Sequence, residues 1–295
     1  MNTRCAMLLA GLLVVGVHAG PSQAQDLGSM RVLVQTGEDN AHDWEANSDR
    51  IIEAWRAWGV TDVERQAMRT EADWEAWEGD YGDYDAVVHM YYTANAPAGP
   101  IEALNDYVAG GGALVVVHSG LAGLQGHEAF DELIGVGWRN ADYGSSVALD
   151  EAGTRTISAP GEGRGAGHPR RQEFQVFTLD QEHPITAGLP SVWMQSVDEL
   201  YFNLRGPVGE MHVLATAHAP DETYSPMLWT KRHGEGSVFV TTMGHDETSI
   251  DSVGFMTTLT RGLEWVVTGE VTTGVPTNFP GADAPVLGAP EFAQD

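Results

Sequence analysis

LVVVHSG, residues Leu114 to Gly120, is the stretch whose reading decides the fold. A leucine and three valines run without polar interruption and stop at a histidine, a serine and a glycine. An aliphatic run with no alternation is the pattern of a strand covered on both faces, an environment found in parallel sheets with helices on each side. The abrupt polar end marks the carboxyl end of that strand. In an open parallel sheet this is the edge where ligands bind, and His118 stands on it.

The flanking chain repeats the theme. Met30 to Thr36 reads as a strand, followed by a helix capped by Asn47 or Ser48, in which Ile51, Ile52, Trp55 and Trp58 recur at helical spacing before Gly59. VTDVER is a second strand, and Thr70 with Asp73 forms a capping box for a short helix bearing Trp74 and Trp77. Tyr84 to Tyr92 is a third strand, Ile101 to Val108 a helix closed by Gly110-Gly111-Gly112, and Ala113 to Val117 the fourth strand. Strands alternating with helices imply right-handed crossovers, hence an α/β class with a doubly wound, mostly parallel sheet. Later strands are expected at Phe174 to Leu179, Met211 to Thr216, Met227 to Lys231 and Ser237 to Met243, with a last helix capped by Asp251 or Ser252 and running through Trp265. Residues 151 to 172 read as a long surface loop.

Composition bounds what such a domain can do. The chain has 295 residues, 42% of them hydrophobic, enough for a sizeable core. Arg4, the apolar stretch Ala6 to Val17 and the small residues of Ser22-Gln23-Ala24 read as a secretory signal peptide over 1–24. The expected domain is then 25–270, with a Pro- and Gly-rich, loosely ordered tail over 271–295, in a secreted or periplasmic protein with no membrane insertion after cleavage. Cys5 lies in the leader, so the mature chain has no thiol for a disulfide, a thiolate ligand or a nucleophile. The net charge is −27. A field of that sign repels phosphate backbones and anionic lipid, which argues against nucleic-acid and membrane-surface partners.

The ligand-edge rule shortens the list of eleven histidines. His42 lies in the loop after the first strand, His118 ends the fourth, and His245 follows the strand before the last helix. Asp198 and Glu199, in DELYF, offer carboxylates beside Tyr201. Three imidazoles and a carboxylate suit a divalent metal ion such as zinc, and equally suit metal-free acid–base chemistry. Sequence leaves both open. Ser119 beside His118 raises a serine-hydrolase alternative, although the flanking glycines of a nucleophile elbow are missing. Trp44 could stack on a sugar face, and Asp246 adjoins His245. His89 sits in a strand where an aliphatic residue is expected, facing either core or pocket.

With these residues assembled, the chain resembles the trehalose utilisation (ThuA-like) family, a branch of the class I glutamine amidotransferase-like superfamily. The resemblance rests on HDW at 42–44, GGGALVVVHSG at 110–120, HPITAGLP at 183–190, DELY at 198–201 and GEGSVFVTTMGHD at 234–246. It implies a flavodoxin-like fold and a role in carbohydrate metabolism on a small-molecule sugar, glycoside or 3-keto-glycoside. His118, His42, His245 and Glu199 would then be catalytic, and Asp198, Tyr201, Trp44, Ser119 and Asp246 would bind substrate. It also implies no glutaminase activity, because His118 stands where amidotransferase relatives carry a nucleophilic cysteine. A non-catalytic carbohydrate-binding protein using the same cleft is the alternative from a different class.

Overall fold

The computed structural model describes residues 27–77, 80–92 and 96–293; the leader reading over 1–24 and Cys5 lie outside the described residues. Along the chain come β1 (Arg31–Gly37), α1 (Trp44–Ala57), β2 (Asp62–Met68), α2 (Glu71–Ala76), β3 (Ala86–His89), α3 (Ala98–Ala109), β4 (Ala113–Val117) and α4 (Glu128–Ile134). They are followed by β5 (Ser145–Leu149), β6 (Arg155–Ser158), β7 (Gln172–Thr178), β8 (Val192–Asp198), β9 (Arg205–Gly206), β10 (His212–His218), β11 (Tyr224–His233), β12 (Gly236–Thr241), α5 (Glu247–Ile250) and α6 (Val253–Thr268).

The strands join one mixed sheet. Its first half, β2-β1-β3-β4-β12, is parallel throughout. Its second half, β11-β10-β7-β8, is antiparallel. The expectation of a mostly parallel sheet therefore holds only for the first half. The reason is the connections: β10, β11 and β12 are joined by turns too short for a crossover, and such turns permit only antiparallel pairing.

Every residue of β4 is buried, because alternate side chains feed different cores. Val115 and Val117 join the cluster that includes Ile51 and Trp55 of α1 and Phe255, Leu259 and Leu263 of α6. Leu114 and Val116 join the opposite cluster, with Ile101, Leu104 and Val108 of α3 and Phe130 and Leu133 of α4. Helices thus cover both faces of the parallel half.

Four reversals of direction separate β12 from β8, so β8 again points the same way as the parallel strands. The antiparallel half also curls back, since Asp198 at the end of β8 accepts a hydrogen bond from Gly244, just beyond β12. The carboxyl ends of β1, β3, β4, β8 and β12 therefore open onto one edge.

Several sequence expectations need correcting. Asp43, not Asn47 or Ser48, caps α1, by accepting from the Ala46 amide; Asn47 and Ser48 are buried inside the helix. The span 151–172 is not all loop, because β6 lies within it and pairs with β5. Beyond α6 the described residues include no helix or strand, in keeping with the Pro- and Gly-rich composition there. This tail is nonetheless fastened by bonds from Met194 N to Gly281 O, Gln175 to Ala282 O and Val253 N to Val286 O, and by Phe279 against Trp193. Among the described residues no helix is long and apolar enough to cross a membrane.

Candidate functional site: a histidine and glutamate cluster at the strand ends

The turn after β4 is built by the three residues that end the aliphatic run. His118 opens a 3-10 turn, His118–Leu121, with φ at +39°, a left-handed conformation that a histidine adopts at a cost. Its Nδ1 lies 2.6 Å from the Thr242 carbonyl at the end of β12, so Nδ1 carries the proton and Nε2 presents a lone pair. Ser119 Oγ donates to the Met90 carbonyl beyond β3. Gly120 has to be glycine, because a Cβ there would lie 2.5 Å from the His89 carbonyl oxygen. The polar end of the strand is thus a tight turn stitched to its two neighbours.

Three other segments reach the same point. His42 hangs in the loop after β1, with Nδ1 2.7 Å from the Asp39 carboxylate. His245 follows β12, its backbone held by Asp198 and by the Asn47 amide, which donates to its carbonyl. Glu199 follows β8. The imidazoles of His42, His118 and His245 lie edge to face, with centroids 4.7 to 5.4 Å apart. One ligand atom from each of His42, His118, Glu199 and His245 falls within 4.8 Å of all the others, so these four could hold a metal ion.

Glu199 divides its oxygens. Oε2 faces inward, 3.3 Å from His245 Nδ1 and 3.6 Å from His118 Nε2, while Oε1 faces the mouth, 3.4 Å from His168 Nε2. Burial pushes the Glu199 carboxyl up, but His118 and then His245 outweigh it and hold it well below the carboxylate range. Burial lowers His118, yet Glu199, the charge of Asp198 and the Thr242 carbonyl raise it overall. His42 is lowered, by burial first and then by its imidazole neighbours against the pull of Asp39.

Asp198 is fully buried and works beneath the site. Its carboxylate accepts from the backbone amides of Glu199, Gly244 and His245 and from the Gln195 side chain. One carboxylate thereby fixes the two segments that carry Glu199 and His245. Tyr201 donates its hydroxyl to His118 Nε2 at 2.9 Å. Above the cluster a pocket of about 140 Å³ is walled by Tyr92, Trp138, His168 and Tyr201, with His42, Glu199 and His245 below.

Not every residue singled out from the sequence reaches this pocket. Trp44 begins α1 under the Arg69 guanidinium, and Asp246 caps α5 and pairs with Arg171, so neither walls it. Ser119 is spent on Met90. His89 is wholly buried against Phe130, on the core side of the turn. Missed in the sequence were Asp39, Tyr92, Trp138 and His168. His168 comes from the irregular span 159–171, which Arg205 clasps: at 1% exposure its guanidinium donates to the carbonyls of Gly144, Ala159, Glu162 and Arg164. No periodicity could have announced that.

The sequence profile of the trehalose utilisation (ThuA) family matches residues 31–266. The chain belongs to that family. A putative ThuA-like protein from Parabacteroides merdae is similar to it at 27% identity and a TM-score of 0.81, over 88% of this chain and 97% of that one. A putative ThuA-like protein from Bacteroides uniformis shares 15% identity and the fold, with a TM-score of 0.54 over 83% of this chain and 94% of that one. A cytoplasmic protein from Salmonella typhimurium shares 12% identity and a TM-score of 0.52, over 80% of this chain and 99% of its own. None of the curated proteins matches the sequence. The family match includes every residue of the cluster, from His42 to His245.

Proposed function

We propose that this ThuA-family chain is a secreted carbohydrate-active protein that binds a glycoside or 3-keto-glycoside in the pocket above Glu199 and cleaves it without a covalent nucleophile. The observation that carries the reading is the convergence of His42, His118, Glu199 and His245 beneath a pocket of single-ring size with aromatic walls. Trp138 and Tyr92 give a sugar ring apolar faces, and His168 and Glu199 give its hydroxyls polar partners.

The chemistry follows from the substrate class. A ketone on the ring acidifies the neighbouring C–H; a base takes that proton, the electron pair forms the new C=C bond, and the glycosidic C–O bond breaks as the departing oxygen is protonated. The barrier is the enolate charge, which preorganised positive groups lower. Imidazoles can serve as acid and base for these transfers, or the four residues together can hold a cation that polarises the carbonyl.

Glutamine hydrolysis by a covalent route is not expected, because His118 stands at the strand end and Ser119 is buried and hydrogen-bonded. The strand order β2-β1-β3-β4-β12 with helices on both faces supports the flavodoxin-like reading of the parallel half. The experiment is a screen of purified protein against glycosides and 3-keto-glycosides, with His118→Ala and His245→Ala measured for turnover and binding. Turnover lost with binding retained is expected. Turnover unchanged in both variants refutes the catalytic reading, and sugar binding with no turnover by the wild type leaves a carbohydrate-binding protein.

A further inference from the structure

We infer that His42, His118, His245 and Glu199 hold a single divalent transition-metal ion of the zinc class, with an open coordination position facing the pocket between Tyr92, Trp138 and Tyr201. The proposed function is needed only for what the ion would polarise; the site itself stands on donor geometry.

Spacing is the first argument. A five-coordinate ion, with four protein ligands and one position left open, has bonds of about 2.1 Å and holds neighbouring ligand atoms about 3.0 to 3.6 Å apart. His245 Nδ1 and His118 Nε2 lie 3.3 and 3.6 Å from Glu199 Oε2. The full set spans no more than 4.8 Å, so a contraction of at most about 1.8 Å at its widest pair closes it on one ion.

Donor roles are the second. The Thr242 carbonyl can only accept, which puts the His118 proton on Nδ1. Asp39 holds the His42 proton on Nδ1 in the same way and leaves Nε2 for the cluster. A histidine whose outer nitrogen donates to a carbonyl or carboxylate is the arrangement that orients metal-binding imidazoles. His245 Nδ1 is buried and makes no hydrogen bond of its own. Two imidazole lone pairs, a third ring nitrogen without a hydrogen bond and an ionised carboxylate therefore converge on one point, and a cation between them gives every one a partner.

The Tyr201 hydroxyl, which donates to His118 Nε2, competes for one of these lone pairs and gives way when the ion binds. The pocket walls then leave an open face to a ring-sized space, as catalytic rather than structural metal sites do.

The test strips the full chain, without a polyhistidine tag, with a chelator and titrates it with Zn²⁺ and with Co²⁺. Expected are one ion per chain by elemental analysis, a rise in Tm on binding, and visible bands of low-coordinate Co²⁺. His42→Ala and His245→Ala should each weaken binding roughly a hundredfold or more, and Asp39→Asn, which keeps all four ligands, roughly 10- to 100-fold. The Asn variant, checked to have the wild-type Tm when metal-free, keeps the test decisive if an Ala variant fails to fold. Tyr201→Phe should bind at least as tightly, and a hundredfold loss there would overturn His118 as a ligand. No uptake of either ion, or uptake undiminished in the His42→Ala/His245→Ala double variant, overturns the site. Metal binding without turnover of any glycoside supports the site and refutes only the proposed function; turnover by the stripped protein supports that function and refutes the ion's part in it.

Discussion

Replacing His89 by leucine should remove a measurable part of the protein's acid sensitivity. His89 ends β3 with no exposed surface, its ring packed against Phe130 at a centroid distance of 4.7 Å, and neither ring nitrogen makes a hydrogen bond of good geometry. Burial lowers its pKa to about 3, opposed only by the Tyr91 backbone. The unfolded chain carries the same imidazole near pKa 6.5. Between those values the unfolded state binds a proton that the folded state excludes, so stability rises with pH across this window. The stabilisation is complete above the unfolded pKa and is lost as the pH falls from about 6.5 towards 3.

At about pH 5 the gap from the unfolded pKa is about 1.5 units, and at about 1.36 kcal/mol per unit the neutral imidazole costs about 2 kcal/mol. The assay is urea unfolding followed by tryptophan fluorescence at about pH 7 and about pH 5, on wild type and His89→Leu. The wild type should lose about 2 kcal/mol more than the variant between the two conditions. His183, also lowered by burial, to about 4, titrates in both proteins and cancels in the difference. Equal losses would refute the account, since they would mean that the folded protein accommodates a charged imidazole at position 89.

Three further outcomes follow from the site. Ser119→Ala should cost about 1 kcal/mol, the value of the lost bond to Met90, and leave glycoside turnover unchanged; a covalent serine probe should label neither protein. Arg205→Lys should cost at least about 2 kcal/mol in thermal denaturation, because an ammonium cannot reach the four carbonyls that the guanidinium serves. It should also raise KM more than it lowers kcat, since the clasped span carries His168 to the pocket mouth. Asp198→Asn should cost about 2 kcal/mol or more, because an amide group turns one of its own donors towards four donors already in place.

What the sequence carried, and what it hid, follow one physical division. Elements that bury an apolar face announce themselves, as do caps written within a few residues of chain: the aliphatic run of β4, the Thr70 and Asp73 capping box and Ser252, one of the two caps offered for α6, are where the pattern puts them. Once those strands are parallel, His42, His118 and His245 must share an edge. Elements held by polar bonds stay silent. In β8, Gln195 and Ser196 are buried because they donate to the Ser249 and Thr248 carbonyls, which breaks the alternation that marks a strand. β6 pairs through its backbone on an exposed edge, with no apolar face to betray it. Asn47 reads as a helix cap by composition, yet its amide donates to the His245 carbonyl and ties the first helix to the site.

The same division explains the cluster itself. Its four residues lie at strand ends and could be found by topology, whereas the groups that orient them, Asp39, the Thr242 carbonyl and Asp198, act through hydrogen bonds that no periodicity encodes. A chain with the four residues intact but this outer layer altered would keep the same strand-end pattern and lose the geometry. The Asp39→Asn and Asp198→Asn variants therefore probe what the motif cannot: if the site tolerated both, the arrangement of imidazoles would have to be fixed by packing alone.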